Sequence, residues 1–233
     1  MLILFDIDGT MLVTERAGIH AMRDAGRELF HPDFTVDGVE FSGRLDPVIY
    51  RDLAALNAID DAEARHDEFR AAYGRHLGRL LGAGPVARAL PGVAALIDRL
   101  RLHENITLGL LTGNYPETGT LKITRAGFDP SAFVVHAWGV DGATRRHLPR
   151  VAVERYTQLR GVGLPPESVI VIGDTPHDVD CARAHACRSL AVATGLFSVD
   201  ELLACGADHA VQDLSETEAV LGWLLQDQAC VWE

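Results

Sequence analysis

No apolar stretch in this 233-residue sequence approaches the roughly 18–20 residues needed to span a bilayer. The amino terminus has no basic region leading into a signal-type apolar segment, so a soluble cytoplasmic protein is expected. Repeats and low-complexity tracts are absent. Cysteine is sparse: Cys181, Cys187, Cys205 and Cys230 make neither a CxxC nor a zinc-like ligand spacing. Free thiols in a reducing compartment are the expectation. Positive charge is short as well, with 21 Lys and Arg against 33 Asp and Glu and a formal charge of −12. That balance argues against nucleic-acid binding through a basic surface. It also sets a condition on any anionic substrate. The site must gather positive charge locally, from a metal, a helix amino terminus or a few placed Lys and Arg.

What the sequence does contain is enough apolar residue, 48%, to build a core in one large domain or a core with a smaller partner. Short apolar runs at 2–5, 106–111, 132–135, 168–173, 189–193 and 209–211 predict strands. They are continuous rather than alternating, as in strands buried on both faces of a parallel sheet. Amphipathic segments lie between them. Val93, Leu96, Ile97 and Leu100 recur at helical spacing, as do Leu148, Val151, Ala152 and Tyr156, and then Val179, Ala182 and Ala186. The alternation predicts an α/β fold with a doubly wound parallel sheet. Ligands of such sheets sit beyond the carboxyl ends of the strands, where Asp6, Thr112 and Asp174 fall. One connection is too long: about 100 residues separate Asp8 from the strand at Ile106, against ~30 for a βαβ unit. Helical patterns at 16–30, 46–57 and 61–81 fill it. Residues 1–14 and 86–233 are therefore expected to form the core, and 15–85 a helical cap over the site.

Three strand ends carry the chemistry. FDIDGT places Asp6 and Asp8 two apart, on one side of an extended chain. Like charges that close repel unless a cation lies between them. A turn would use Asp8, Gly9 and Thr10 well enough, but a carboxylate nucleophile with a neighbouring acid/base and a bridging divalent cation accounts for the pair. Gly9 lets the backbone approach a bound anion. At LLTGN, Thr112 offers a hydroxyl and the amides of Gly113 and Asn114 a small anion-binding concavity, although TGN is also a common turn. In GDTPHDVD, Thr175 and Pro176 open a helix with Asp178 in capping-box position. Capping leaves Asp174 unexplained. Hard cations take oxygen ligands; Asp174 supplies one, and Asp178 another or a supporting contact.

Together these elements resemble the haloacid dehalogenase-like hydrolase superfamily, most of whose members are magnesium-dependent phosphatases. DxDGT, a strand-end Thr and GDxxxD follow the family's order over nearly the whole chain. The insertion resembles the helical cap of the phosphoglycolate-phosphatase-like branch, and SGRLD (42–46) resembles its substrate-facing Gly-Arg loop. The resemblance implies a Rossmann-like core, Mg²⁺ as cofactor and a small phosphorylated metabolite as substrate, without nucleic-acid or membrane partners. It implies that Asp6 attacks phosphorus to form an aspartyl-phosphate. Asp8 then protonates the leaving oxygen and later activates water. The Asp8 carbonyl and the carboxylates of Asp6 and Asp174 are expected to hold Mg²⁺, supported by Asp178. Thr112 is expected to bind the phosphoryl oxygens, with Gly9, Gly113 and Asn114 around them, and Arg44 to meet a distal acidic group.

The K-P that often precedes GDxxxD in that branch is missing. Instead ATRRHLPRVAVERY (143–156) resembles an R-x-x-L variant whose register favours Arg145 over Arg146 as the cation beside the nucleophile. Lys122 and His177 are expected to be solvated. The same intermediate would serve a phosphomutase, and a non-catalytic phosphate-binding protein could keep this fold. A true dehalogenase is metal-free and lacks the Asp8 acid/base; a phosphonatase needs a cap lysine, and 15–85 contains none. Phosphoglycolate, sugar phosphates and nucleotides all remain open as substrates, as does the oligomeric state.

Overall fold

Strands covered on both faces need no polar side, and the apolar runs pair accordingly. The computed structural model describes residues 1–226. Its strands are β1 (Leu2–Phe5), β2 (Leu12–Val13), β3 (Arg88–Ala89), β4 (Thr107–Leu111), β5 (Val135–Ala137), β6 (Val169–Gly173), β7 (Arg188–Val192) and β8 (His209–Val211). Among the described residues, six of them form one parallel sheet in the order β5-β4-β1-β6-β7-β8. The helices are α1 (Ala17–Leu29), α2 (Asp46–Leu56), α3 (His66–Gly82), α4 (Val93–Leu100), α5 (Pro116–Arg125), α6 (Leu148–Arg160), α7 (Pro176–Arg183), α8 (Val199–Ala204) and α9 (Thr217–Leu225).

The side-chain period of two divides β1 between two layers. Ile3 and Phe5 pack with α4 and α9 through Val93, Leu96, Val220 and Leu224. Leu2 and Leu4 pack with α6 and α7 through Leu148, Ala152, Cys181 and Ala182. Helices on both faces make this a doubly wound, Rossmann-like sheet. Because β1 lies between β4 and β6, with Phe5 level with Leu110 and Ile172, the carboxyl ends of these three strands are neighbours.

Residues 14–87 leave and re-enter the core at one place, where β2 and β3 pair antiparallel with Leu12 opposite Ala89. Between them, α1, α2 and α3 enclose their own apolar cluster, including Met22, Phe34, Leu53, Phe69 and Leu77. Tyr115, from the sheet side, is buried in the same cluster. Polar contacts join the layers as well, among them the Asp46 amide, which donates to the Gly113 carbonyl at 2.7 Å, and Arg70, which forks onto Glu117 at 2.5 and 2.7 Å.

Three boundaries differ from expectation. The strand expected at 132–135 is displaced to Val135–Ala137, because Pro130–Ala132 form a 3₁₀ turn whose Ser131 amide donates to the Asp129 carboxylate. The Phe133 side chain then fills the core instead of a strand position. Residues 61–65 form turns, so α3 starts at His66. Ala186 lies beyond α7 with a left-handed φ of 53°. No helix among the described residues is long and apolar enough to cross a membrane. Cys181 and Cys187 are buried free thiols and Cys205 an exposed one; Cys230 lies outside the described residues.

Candidate active site

Asp6, Thr112 and Asp174 each follow the last residue of a strand, β1, β4 and β6 respectively. The Asp6 amide continues the ladder by donating to Ile172 at 2.9 Å, and the Thr112 amide donates to Ala137 at 3.0 Å. All three side chains are buried. Carboxylate oxygens of Asp6, Asp174 and Asp178 lie within 4.8 Å of one another. Asp178 reaches this cluster from the first turn of α7, where its Oδ2 accepts from the Thr175 hydroxyl at 2.7 Å and amide at 3.1 Å. The capping box and the acidic cluster share this carboxylate.

One cation answers three acids. The buried Arg145 places Nη2 3.0 Å from Asp6 and 2.5 Å from Asp178, and its Nη1 donates to the Gly43 carbonyl at 3.2 Å. Arg146 points outward to Asp180. Burial, with the Asp178 and Asp8 charges added and Arg145 opposing, pushes the Asp6 carboxyl up to about 6. Burial together with the Asp6 and Asp178 charges holds Asp174 well above the usual carboxylate range. Three buried carboxylates against one guanidinium leave the cluster short of positive charge. An all-oxygen set of this kind fits a hard divalent cation such as Mg²⁺.

Space around the cluster is kept by missing side chains. Gly9 adopts φ +79°, and a Cβ there would lie 2.3 Å from the Asp174 carboxylate. A Cβ on Gly113 would lie 1.9 Å from the Arg44 carbonyl, so the cap loop rests directly on the strand-end turn. The Thr10 hydroxyl fixes Asp174 by donating to it at 3.1 Å. That residue belongs to the DxDGT motif, but its partner was not legible in the sequence.

The Asp8 side chain turns away from the acidic cluster. Its Oδ2 accepts from Lys122 Nζ at 2.7 Å and from Asn114 Nδ2 at 2.8 Å. Lys122 also donates to Asn114 Oδ1 at 2.6 Å, and Asn114 Nδ2 donates to the Thr112 hydroxyl at 2.8 Å. The expectation of a solvated Lys122 is thus overturned: the residue is 4% exposed. It is the chain's single lysine, and its ammonium lies beside α1, where a Cβ on Gly18 would be 3.6 Å from Nζ. His177 is exposed, beside Gly43. Arg44 lines the cavity but is ion-paired with Asp52 at 2.7 Å.

A cavity of about 900 Å³ opens between cap and sheet, lined at its floor by Asp6, Asp8, Thr112, Lys122, Arg145 and Asp174. Position, charge and cavity together define a hydrolase-type α/β site. A profile of the haloacid dehalogenase-like hydrolase family matches residues 3–183, and the chain belongs to that family. It is similar to Tyrosine-protein kinase PtkA of Mycobacterium tuberculosis, 25% identical over 199 residues covering 85% of this chain, and spans 64% of that relative's length. It is 26% identical to Phosphoglycolate phosphatase of Synechococcus elongatus, over 92% of this chain and 93% of that one. A crystal structure of a hydrolase from Pseudomonas syringae superposes with a TM-score of 0.72 at 19% identity, covering 95% of this chain and 98% of that one.

Proposed function

We propose that this protein is a Mg²⁺-dependent phosphatase that hydrolyses a small phosphate monoester in the cytoplasm through an aspartyl-phosphate on Asp6. The observation that carries this reading is the placement of Asp6: buried, 3.0 Å from Arg145, and within a cluster of carboxylates suited to a divalent cation. Asp6, Asp174 and the Asp8 carbonyl would hold Mg²⁺, with Asp178 in support, and the ion would supply the positive charge that lets anionic phosphate approach carboxylates. Phosphoryl transfer depends mainly on positioning and charge stabilisation.

In the first step an Asp6 oxygen bonds to phosphorus as the ester P–O bond breaks, and Asp8 gives its proton to the departing alcohol oxygen. In the second, Asp8 takes a proton from water as the water oxygen attacks the same phosphorus. Inorganic phosphate leaves and Asp6 is regenerated. Arg145 neutralises the nucleophile and phosphoryl oxygens, Thr112 donates to those oxygens, and Lys122 with Asn114 holds Asp8 in place. A phosphomutase would pass the phosphoryl group to a sugar hydroxyl instead.

The test is release of p-nitrophenol from p-nitrophenyl phosphate with and without Mg²⁺. Metal-dependent release is expected, falling by at least about 10³-fold in Asp6→Asn, as for loss of a covalent nucleophile. Release that persists in the variant would rule out Asp6 as the nucleophile.

A further inference from the structure

Among the described residues, five cations line the cavity, and four of them are held by acids of the chain. Arg145 is held by Asp6 and Asp178, Lys122 by Asp8, Arg44 by Asp52 and Arg88 by Glu15. Arg16 is the fifth. It is exposed, and its guanidinium meets no carboxylate among the described residues. Its neighbours do not compete for it: Glu15 is turned onto Arg88, and the first turn of α1 carries no acid. Glu40, an exposed acid on the same cavity, is not ion-paired with it.

The backbone that presents Arg16 is strained. Glu15 and Arg16 adopt left-handed φ values of 47° and 63° in succession, a conformation that side chains with a Cβ disfavour and that clusters at ligand clamps. The Ala17 amide closes this turn by donating to the Thr14 carbonyl at 2.8 Å. The turn also stands on a particular side of the catalytic floor. Asp8, which protonates the leaving oxygen in the proposed reaction, accepts from Lys122 at 2.7 Å. A Cβ on Gly18, two residues beyond Arg16, would lie 3.6 Å from the same Nζ. Arg16 is therefore on the side of the departing alcohol, remote in role from the phosphoryl group that Arg145 serves.

An anion that drew on Arg44, Arg88, Lys122 or Arg145 would have to break an existing ion pair and leave a carboxylate without compensation. Arg16 can take one by displacing water alone. In a chain of charge −12 the general field repels anions, so an uncommitted guanidinium is where a second one can be held. Its fork suits a carboxylate and a phosphate equally.

We infer that Arg16 determines specificity by binding a second anionic group, a carboxylate or a phosphate, carried by the alcohol part of the substrate. Arg44, locked to Asp52, does not have that role. The inference rests on the phosphatase reading for turnover, but the recognition can be measured without it.

Calorimetric titration of the Asp6→Asn protein in Mg²⁺ stops the chemistry at the floor and alters no group around Arg16. The probes are ethyl phosphate, phosphoglycolate and propane-1,3-diyl bisphosphate, which share the reacting phosphate and differ in the second group. One of the doubly anionic probes is expected to bind about tenfold tighter than ethyl phosphate, the scale of a charge-assisted hydrogen bond. Which of them does so assigns the second group as carboxylate or phosphate. Arg16→Gln in the same background should abolish the difference, and Arg16→Lys should keep part of it, since charge remains while the fork is lost. Arg44→Gln should leave the difference in place. Equal binding of all three probes would overturn the inference. So would a preference that survives Arg16→Gln, or one that is lost with Arg44→Gln alone. Turnover of p-nitrophenyl phosphate by the native chain is scored separately: its absence with an Arg16-dependent preference removes the hydrolase reading and keeps the recognition. Its presence without such a preference does the reverse.

Discussion

Arg145 is the residue on which the acidic cluster depends. It is buried, it is the guanidinium against Asp6 and Asp178, and its Nε finds no partner among the described residues. Removing one partner from a buried ion cluster costs more than the pair itself contributes, because charge is left without compensation. Arg145→Met is therefore expected to lower unfolding stability by roughly 3–5 kcal/mol in urea. Arg145→Lys should recover part of that loss, since an ammonium keeps the charge but cannot fork between two carboxylates. An Arg145→Met protein of native stability would mean that the cluster is protonated at neutral pH. Lys122 acts on the reaction through Asp8, so Lys122→Met should reduce kcat about 10²-fold, the lower end for acid–base assistance, with KM little changed. A loss confined to KM would place the ammonium on the substrate instead.

At the scale of elements, α2 meets the sheet through Asp46 at its first residue. The buried Asp46 carboxylate accepts from the Tyr115 amide at 2.9 Å, while its own amide donates to Gly113 at 2.7 Å. Burial pushes this carboxyl up from 3.8 to about 7, with Lys122 and the Tyr115 amide opposing and the Asp8 and Glu117 charges adding to the rise. The folded chain thus holds the proton more tightly than the unfolded chain. That stabilisation is complete below the unfolded value of 3.8 and is lost as pH rises through about 7. Asp46→Asn should remove this component: between pH 5 and pH 8 the native protein should lose on the order of 1–3 kcal/mol more than the variant. Thermal or urea unfolding at the two pH values measures it. Parallel losses would show that the acid is already ionised in the folded state.

For the whole molecule, a charge of −12 surrounds a floor where Asp6, Asp174 and Asp178 converge. A cation that binds only the folded arrangement stabilises it by mass action, about 2.7 kcal/mol at a hundred times its Kd. Addition of Mg²⁺ should therefore raise the melting temperature of the native protein. Asp174→Asn should show a much smaller rise, because one oxygen of the set is lost along with its charge. Equal shifts in the two proteins would assign the effect to general screening of the negative surface.

What the sequence by itself determined were features encoded locally. Apolar runs of strand length mark β1, β4 and β6, and the residues that follow them, Asp6, Thr112 and Asp174, fall at strand ends because the apolar run stops where the charge or hydroxyl begins. Thr175, Pro176 and Asp178 announced the start of α7 in the same way. Phe133 is the converse case: an apolar residue just after a turn is buried as readily as one in a sheet, so an apolar run alone does not locate the strand. Tertiary structure decided which neighbours these groups meet. The distinction between Arg145 and Arg146 is one of direction, since one side of a 3₁₀ turn faces the cluster and the other faces Asp180. Lys122 lies 114 residues from Asp8 in the chain. Helical spacing states which residues share a face, not which strand end that face overlooks. Only the order β5-β4-β1-β6, with the cap closed over α5, sets that ammonium against that carboxylate.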